Sequence, residues 1–229
     1  ALIVVMPLTA FLGRQLGQKR LYLACLGLFL VASLLCGLAV TLWQLILFRF
    51  LQGLGAGALQ PTQQAILRQT FPPKEQAMAM AIFAMAVMVG PAVGPTLGGY
   101  ILDNWTWSWI FYINLPIGAV AVAMVSRFVV EDETLRAHNA QLAQRELKHL
   151  DWHGIALLSV GLGALEYFLA VGARNDWFES RAIAGSFLLS CITLSAFVIR
   201  ELTAVAPSVN IRLFKDIGFT SGTLVAAVV

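Results

Sequence analysis

Apolar runs of about 20 residues, parted by short clusters of charge, leave this chain very few ways to fold. The runs cover approximately residues 1–12, 21–40, 42–67, 77–101, 109–130, 154–173, 182–200 and 218–229. Six are long enough to cross a hydrocarbon core of ~30 Å as a helix, and the first and last are partial. Lipid offers no hydrogen-bond partners, so each run must pair its own backbone groups, which favours a helix. Charged residues make up 12% of the chain, about half the share in a soluble domain. A soluble helix of this length would also need a polar face, and most of these runs have none. The expectation is an all-α, polytopic transmembrane helix bundle. The net charge of +3 is too small to argue for nucleic acid.

The loops give the orientation. Arg14, Lys19, Arg20, Arg68, Lys74, Arg127, Arg136, Arg145, Lys148, Arg200, Arg212 and Lys215 fall on one side of an alternating topology. Only Arg174 and Arg181 fall in the other loops, so twelve basic residues oppose two. Basic loops stay in the cytoplasm, which puts the first set there. The outer loop Asp103–Ser108 has no Lys or Arg, and Trp105, Trp107 and Trp109 suit an interfacial aromatic belt.

The run at 77–101 has its own signature. Ala86, Gly90, Gly94 and Gly98 recur every fourth residue, a spacing that draws one narrow ridge of small residues along a helix. Such a ridge lets a second helix approach closely. Pro91 and Pro95 flank it, and each lacks the N–H that would pair the carbonyl four residues earlier, on Val87 and Pro91. Neighbouring helices in a membrane bundle can satisfy those groups.

Two charged residues lie well inside apolar runs. Arg49 sits about 10 Å from the outer end of its helix at 1.5 Å per residue. A charge at that depth costs at least about 2.5 kcal/mol, so it faces a partner, a cavity or a bundle interior. Arg49 reads either as part of a proton or substrate path or as a structural arginine bonded to neighbouring carbonyls. The first reading is favoured by Gln52, three residues on and on the same face, and by Gly53, Gly55 and Gly57, which thin the helix. Glu166 reads either as a proton-binding carboxylate or as a structural glutamate bonded to another helix.

Cys25, Cys36 and Cys191 all fall in apolar runs without paired spacing, so they frame no disulfide and no metal site. The polar stretch 131–153 reads as a solvated cytoplasmic linker. His149 and His153 are one helical turn apart within it, but a linker is the simpler account than a metal site. No nucleophile–base pair, phosphate loop or cofactor motif is visible. Gly53 and Gly55 lie within a spanning run, so a dinucleotide reading fails for want of a preceding strand.

The sequence from Gly90 to Gly99, GPAVGPTLGG, resembles the fifth-helix antiporter signature of the major facilitator superfamily. Phe48 to Gly53, FRFLQG, is similar to the fourth-helix motif of the same family. Trp107 to Gly118, WSWIFYINLPIG, resembles the start of the sixth helix in the fourteen-helix drug:proton antiporter branch. LEYFLAVG, NDWF and VNIRLFKD resemble the two additional central helices and the approach to the ninth. The resemblance implies a major facilitator fold running from the end of helix two to the start of helix nine, so an internal segment of a longer protein is expected. It divides the chain into the remainder of an N-terminal bundle (1–130), a cytoplasmic linker (131–153), two additional helices (154–200), and a loop leading to a C-terminal bundle (201–229).

The resemblance implies a proton-coupled multidrug efflux antiporter of the bacterial inner membrane, not an enzyme, working by alternating access on bulky apolar or cationic drugs and dyes. The alternative is a transporter of the same fold for a defined metabolite or nutrient. Arg49, Gln52 and Glu166 would lie on the proton or substrate path. Gly90, Pro91, Gly94, Pro95, Gly98 and Gly99 would form the packing motif. Arg14, Gly17, Lys19 and Arg20 would belong to the cytoplasmic gating loop. In Gram-negative cells a periplasmic adaptor and an outer-membrane channel would be partners. Three positions depart from the family pattern: Ala10 replaces a glycine, Arg14 stands where the gating loop carries an acid, and Ala81 replaces a second glycine.

Overall fold

The computed structural model describes residues 9, 11–131, 151–174, 177–203 and 220–222. The partial runs at either end, most of the linker with His138 and His149, and VNIRLFKD lie largely or wholly outside these residues. The chain divides into two compact units, Ala1–Gln144 and Arg145–Val229.

In the first unit, residues 11–16 are helical and are followed by α1 (Gln18–Gly37), α2 (Leu42–Thr70), α3 (Pro73–Asn104), α4 (Trp109–Tyr112) and α5 (Asn114–Phe128). The second unit holds α6 (Trp152–Gly172), a 3-10 turn at Trp177–Glu179, and α7 (Arg181–Thr203). There is no strand among the described residues. Among the described residues six helical stretches are long and apolar enough to cross a membrane: α1, α2, α3, Trp109–Phe128, α6 and α7. They coincide with the six complete runs of the sequence to within a few residues at each end.

The ends follow local chemistry. Thr41 caps α2 by accepting from the Gln44 N–H at 3.3 Å, while Gln44 Oε1 accepts from the Val40 N–H at 3.1 Å. This reciprocal arrangement satisfies two N–H groups at the helix start. Pro73 opens α3 at a position where a missing N–H costs nothing. Gln76 Nε2 donates back to the carbonyls of Arg68 (2.9 Å) and Phe71 (3.1 Å), closing the end of α2. Asp151 caps α6 through the Gly154 N–H at 3.0 Å. The run expected as one helix over 109–130 breaks at Ile113, which keeps helical angles. Pro116 lacks the N–H that would have paired the Tyr112 carbonyl.

The first unit is organised on α1, which packs along α2 and against α4 and α5. Gly55 marks the closest approach: a Cβ there would sit 2.8 Å from the Cys25 carbonyl oxygen and the Phe29 nitrogen, both backbone atoms of α1. Gly37 faces the Tyr112 ring, and Gly118 faces Leu30. By contrast α3 buries only Ile101.

In the second unit α6 and α7 run antiparallel. Gly161 meets Leu194 and Thr193 near mid-helix, and Gly154 faces Glu201 at one end. At the other end Phe168 stacks with Trp177, Phe178 and Phe187 at ring separations of 5.1, 5.6 and 4.9 Å.

Candidate functional site

The polar constellation of the first unit is assembled by α1, α2, α4 and the first residue of α5. The Arg49 guanidinium lies over the Phe111 ring, with Cζ 4.4 Å from the centroid. Its Nη1 donates to Gln52 Oε1 at 3.4 Å, as the three-residue spacing predicts. Gln52 is buried and also accepts from the Cys36 thiol, at a sulfur–oxygen distance of 4.0 Å. Phe111 is buried too, and its backbone carbonyl accepts from Ser33 Oγ at 3.0 Å. Asn114 Nδ2 donates to the same hydroxyl, also at 3.0 Å. Ser33 is thus both donor and acceptor inside the bundle, which fixes its hydroxyl.

Arg49 itself is on an exposed face of the unit. It makes no ion pair among the described residues. The described acids of the unit, Glu75, Asp103 and Glu131, all stand at or beyond helix ends. A ring face and an amide oxygen therefore take the place of a counter-ion. Glu166 lies on an exposed face of α6 in the second unit and makes no hydrogen bond or ion pair among the described residues.

The ridge on α3 is bare. A Cβ built at Gly90, Gly94, Gly98 or Gly99 meets no atom outside its own helix within 4 Å among the described residues. Pro91 and Pro95 are accommodated without ending the helix. Ala86, first residue of the ridge, lines a pocket of about 430 Å³ with Tyr22, Gln63, Phe83, Val87 and Val125. The Gln63 amide donates to the Tyr22 hydroxyl at 3.1 Å in this otherwise apolar pocket.

The gating-loop residues gather at the start of α1. Gly17 has φ +89°, a left-handed conformation that favours glycine. A Cβ on Gly17 would collide with the Glu131 carboxylate, which accepts from the Lys19 N–H at 3.3 Å. Lys19 Nζ donates to the Ser126 carbonyl at 2.9 Å. Arg14 and Arg20 are exposed. A carboxylate thus sits at the N-terminus of α1, where the helix dipole favours it, although Arg14 occupies the loop's usual acidic position.

In the second unit Arg200 grips Asp151 in a fork. Nε lies 2.8 Å from both carboxylate oxygens, and Nη2 lies 2.7 Å from Oδ1. The hydrogen bond from Arg200 is the largest influence holding the Asp151 carboxyl below its ordinary value; burial opposes it, and the Gly154 N–H adds to it.

Phe111, Ser33, Asn114 and Glu131 were not singled out by sequence reasoning. The signal for Phe111 and Asn114 was their place in WSWIFYINLPIG. For Glu131 it was the missing acid at Arg14, which asks for a carboxylate from elsewhere.

A bundle of membrane-length helices with a buried amide beside an intramembrane arginine defines a polytopic membrane protein without a catalytic constellation among its described residues. The sequence profile of the Major Facilitator Superfamily matches residues 1–229, and the chain belongs to that superfamily of transporters. It is similar to the fatty acid resistance protein FarB of Neisseria gonorrhoeae, with 39% identity over 221 residues, or 96% of this chain and 42% of the relative. The multidrug export protein EmrB of Escherichia coli (strain K12) is 38% identical over 221 residues, 96% of this chain and 41% of the relative. The colistin resistance protein EmrB of Acinetobacter baumannii is 31% identical over 227 residues, 99% of this chain and 43% of the relative. The chain thus spans 41–43% of the length of these curated relatives. Its membrane-length helices and this family membership make it a multi-pass protein of the bacterial inner membrane.

Proposed function

We propose that the chain is the N-terminal-bundle remainder and central helix pair of a proton-coupled multidrug exporter, working by alternating access on bulky apolar or cationic compounds. The observation that carries this reading is the bare ridge of α3. A spanning helix with two internal prolines and an uncovered line of glycines is costly unless another helix closes on it. Closure along Gly90, Gly94 and Gly98 would keep the path tight to ions while the bundles rock around a midplane site.

In this reading Arg49 steers the proton and Gln52 lines the cavity, while Glu166 is a second polar point on the path. Arg14, Gly17, Lys19 and Arg20 work the cytoplasmic gate, with Glu131 as the carboxylate docked on them. The names of the relatives, multidrug export and colistin resistance, support a drug cargo. The name fatty acid resistance supports amphiphiles as a second cargo class and keeps a narrower substrate as the alternative. A periplasmic adaptor and an outer-membrane channel belong to the proposal for Gram-negative hosts.

The test uses the full-length protein in everted vesicles energised by a pH gradient. Wild type should extrude cationic dyes at the expense of that gradient. Gly94→Val and Gly98→Val should insert normally and lose efflux. Normal efflux in both would remove the packing role. Transport of one metabolite but no dye would favour the alternative.

A further inference from the structure

Arg49 brings a full charge into the apolar span of the first unit, and among the described residues no carboxylate of that unit answers it. What meets it is the face of Phe111, 4.4 Å away, and the Gln52 oxygen at 3.4 Å. The negative face of an aromatic ring attracts a guanidinium, more strongly as water is excluded. The residue is anchored at its backbone and buried. Its carbonyl accepts from Ser33 on α1, Ser33 is held in turn by Asn114, and the side chain is 4% exposed. Gly37 allows the adjacent Tyr112 ring to lie against α1, so the short helix α4 is fixed on both sides of Phe111.

We infer that Phe111 is a positioning residue for proton-coupled transport, its ring face being the seat that holds the Arg49 guanidinium beside Gln52 in the outer half of the bundle. The inference rests on the proposed coupling role of Arg49. Buried as it is, Phe111 does not touch cargo. Its loss should lower the rate of the coupled cycle and leave the apparent affinity for cargo in place.

The experiment replaces Phe111 in the full-length protein with mono-, di- and trifluorophenylalanine, which keep the ring's shape and drain its negative face. Turnover and KM for a cationic dye are measured in proteoliposomes under an imposed pH gradient. Turnover should fall step by step with each fluorine, by about two- to thirtyfold overall, the span of a guanidinium–ring attraction between wet and dry settings, with KM unchanged. Phe111→Leu should resemble the trifluoro protein. Equal turnover across the fluorinated series, with loss only in Phe111→Leu, would mean that the ring merely fills space and would overturn the inference. Arg49→Ala is run alongside. If it transports with unaltered proton coupling, the coupling role of Arg49 falls, and the seat falls with it. If Arg49→Ala is uncoupled while the fluorinated series is flat, only the seat falls.

Discussion

At the scale of single residues, two glycines separate packing from function. Gly55 stands where α2 touches the α1 backbone, so any Cβ must push two main chains apart. Gly55→Ala should destabilise the detergent-solubilised full-length protein by about 1–3 kcal/mol, the cost of overpacking a close contact, read as a lower thermal midpoint. Within the described residues nothing crowds Gly94. Closure of another helix on the ridge in the full-length protein, as proposed, makes Gly94→Ala costly there too, and a midpoint unchanged or raised by the better helix former would count against that closure. Asp151 supplies the second residue-scale prediction. Its carboxyl is held below the ordinary value, so the ionised form is the one that the fold favours. The stability it adds is complete above the unfolded aspartate value of about 3.9 and drains away as pH falls through the lower folded value. Wild type should lose this increment only in acid, and Asp151→Asn should flatten that part of the stability–pH curve while keeping the helix cap. Asp151→Ala should lose the cap as well, a further cost of about 1 kcal/mol at any pH.

At the scale of elements, length and apolarity were enough to mark all six spans, because a helix in lipid needs little else. The break at Ile113 was hidden because Pro116 acts four residues upstream of itself. The pairing of Arg49 with Gln52 was legible from spacing along α2, whereas the Phe111 seat depends on α1 joining α2 to α4 and leaves no local trace. The docking of Glu131 was the least legible, since it spans 112 positions to reach Lys19. That contact carries its own prediction. Gly17→Ala must adopt φ near +89° and displace the carboxylate, and this positive-φ extended conformation alone costs roughly 1–3 kcal/mol. Glu131→Gln keeps the backbone hydrogen bond but gives up the charge at the helix end. Both variants should speed trypsin cleavage after Lys19 and Arg20 in inside-out vesicles, Gly17→Ala the more so. Unchanged cleavage in both would show that the carboxylate does not order this loop.

At the scale of the whole molecule, the distribution of charge does what no single helix can: it gives each loop a side. Twelve basic residues in one set of loops against two in the other is an asymmetry that the membrane potential and the insertion machinery both read. On that rule the Gly17–Glu131 contact is expected in the cytoplasm and Trp105, Trp107 and Trp109 at the outer face, which would place the Arg49 seat, one helix end away from those tryptophans, in the outer half of the bundle. This ordering is open to direct measurement. Single cysteines placed at Asn104 and Ser180 in the full-length protein, freed of its native cysteines, should react with a membrane-impermeant maleimide added to intact spheroplasts. Cysteines at Arg14 and Lys74 should react only in inside-out vesicles. Labelling of Arg14→Cys from outside would invert the topology, moving the arginine seat to the cytoplasmic half and the Glu131 contact to the external end. The direction assigned to every polar group along the path depends on that one sign.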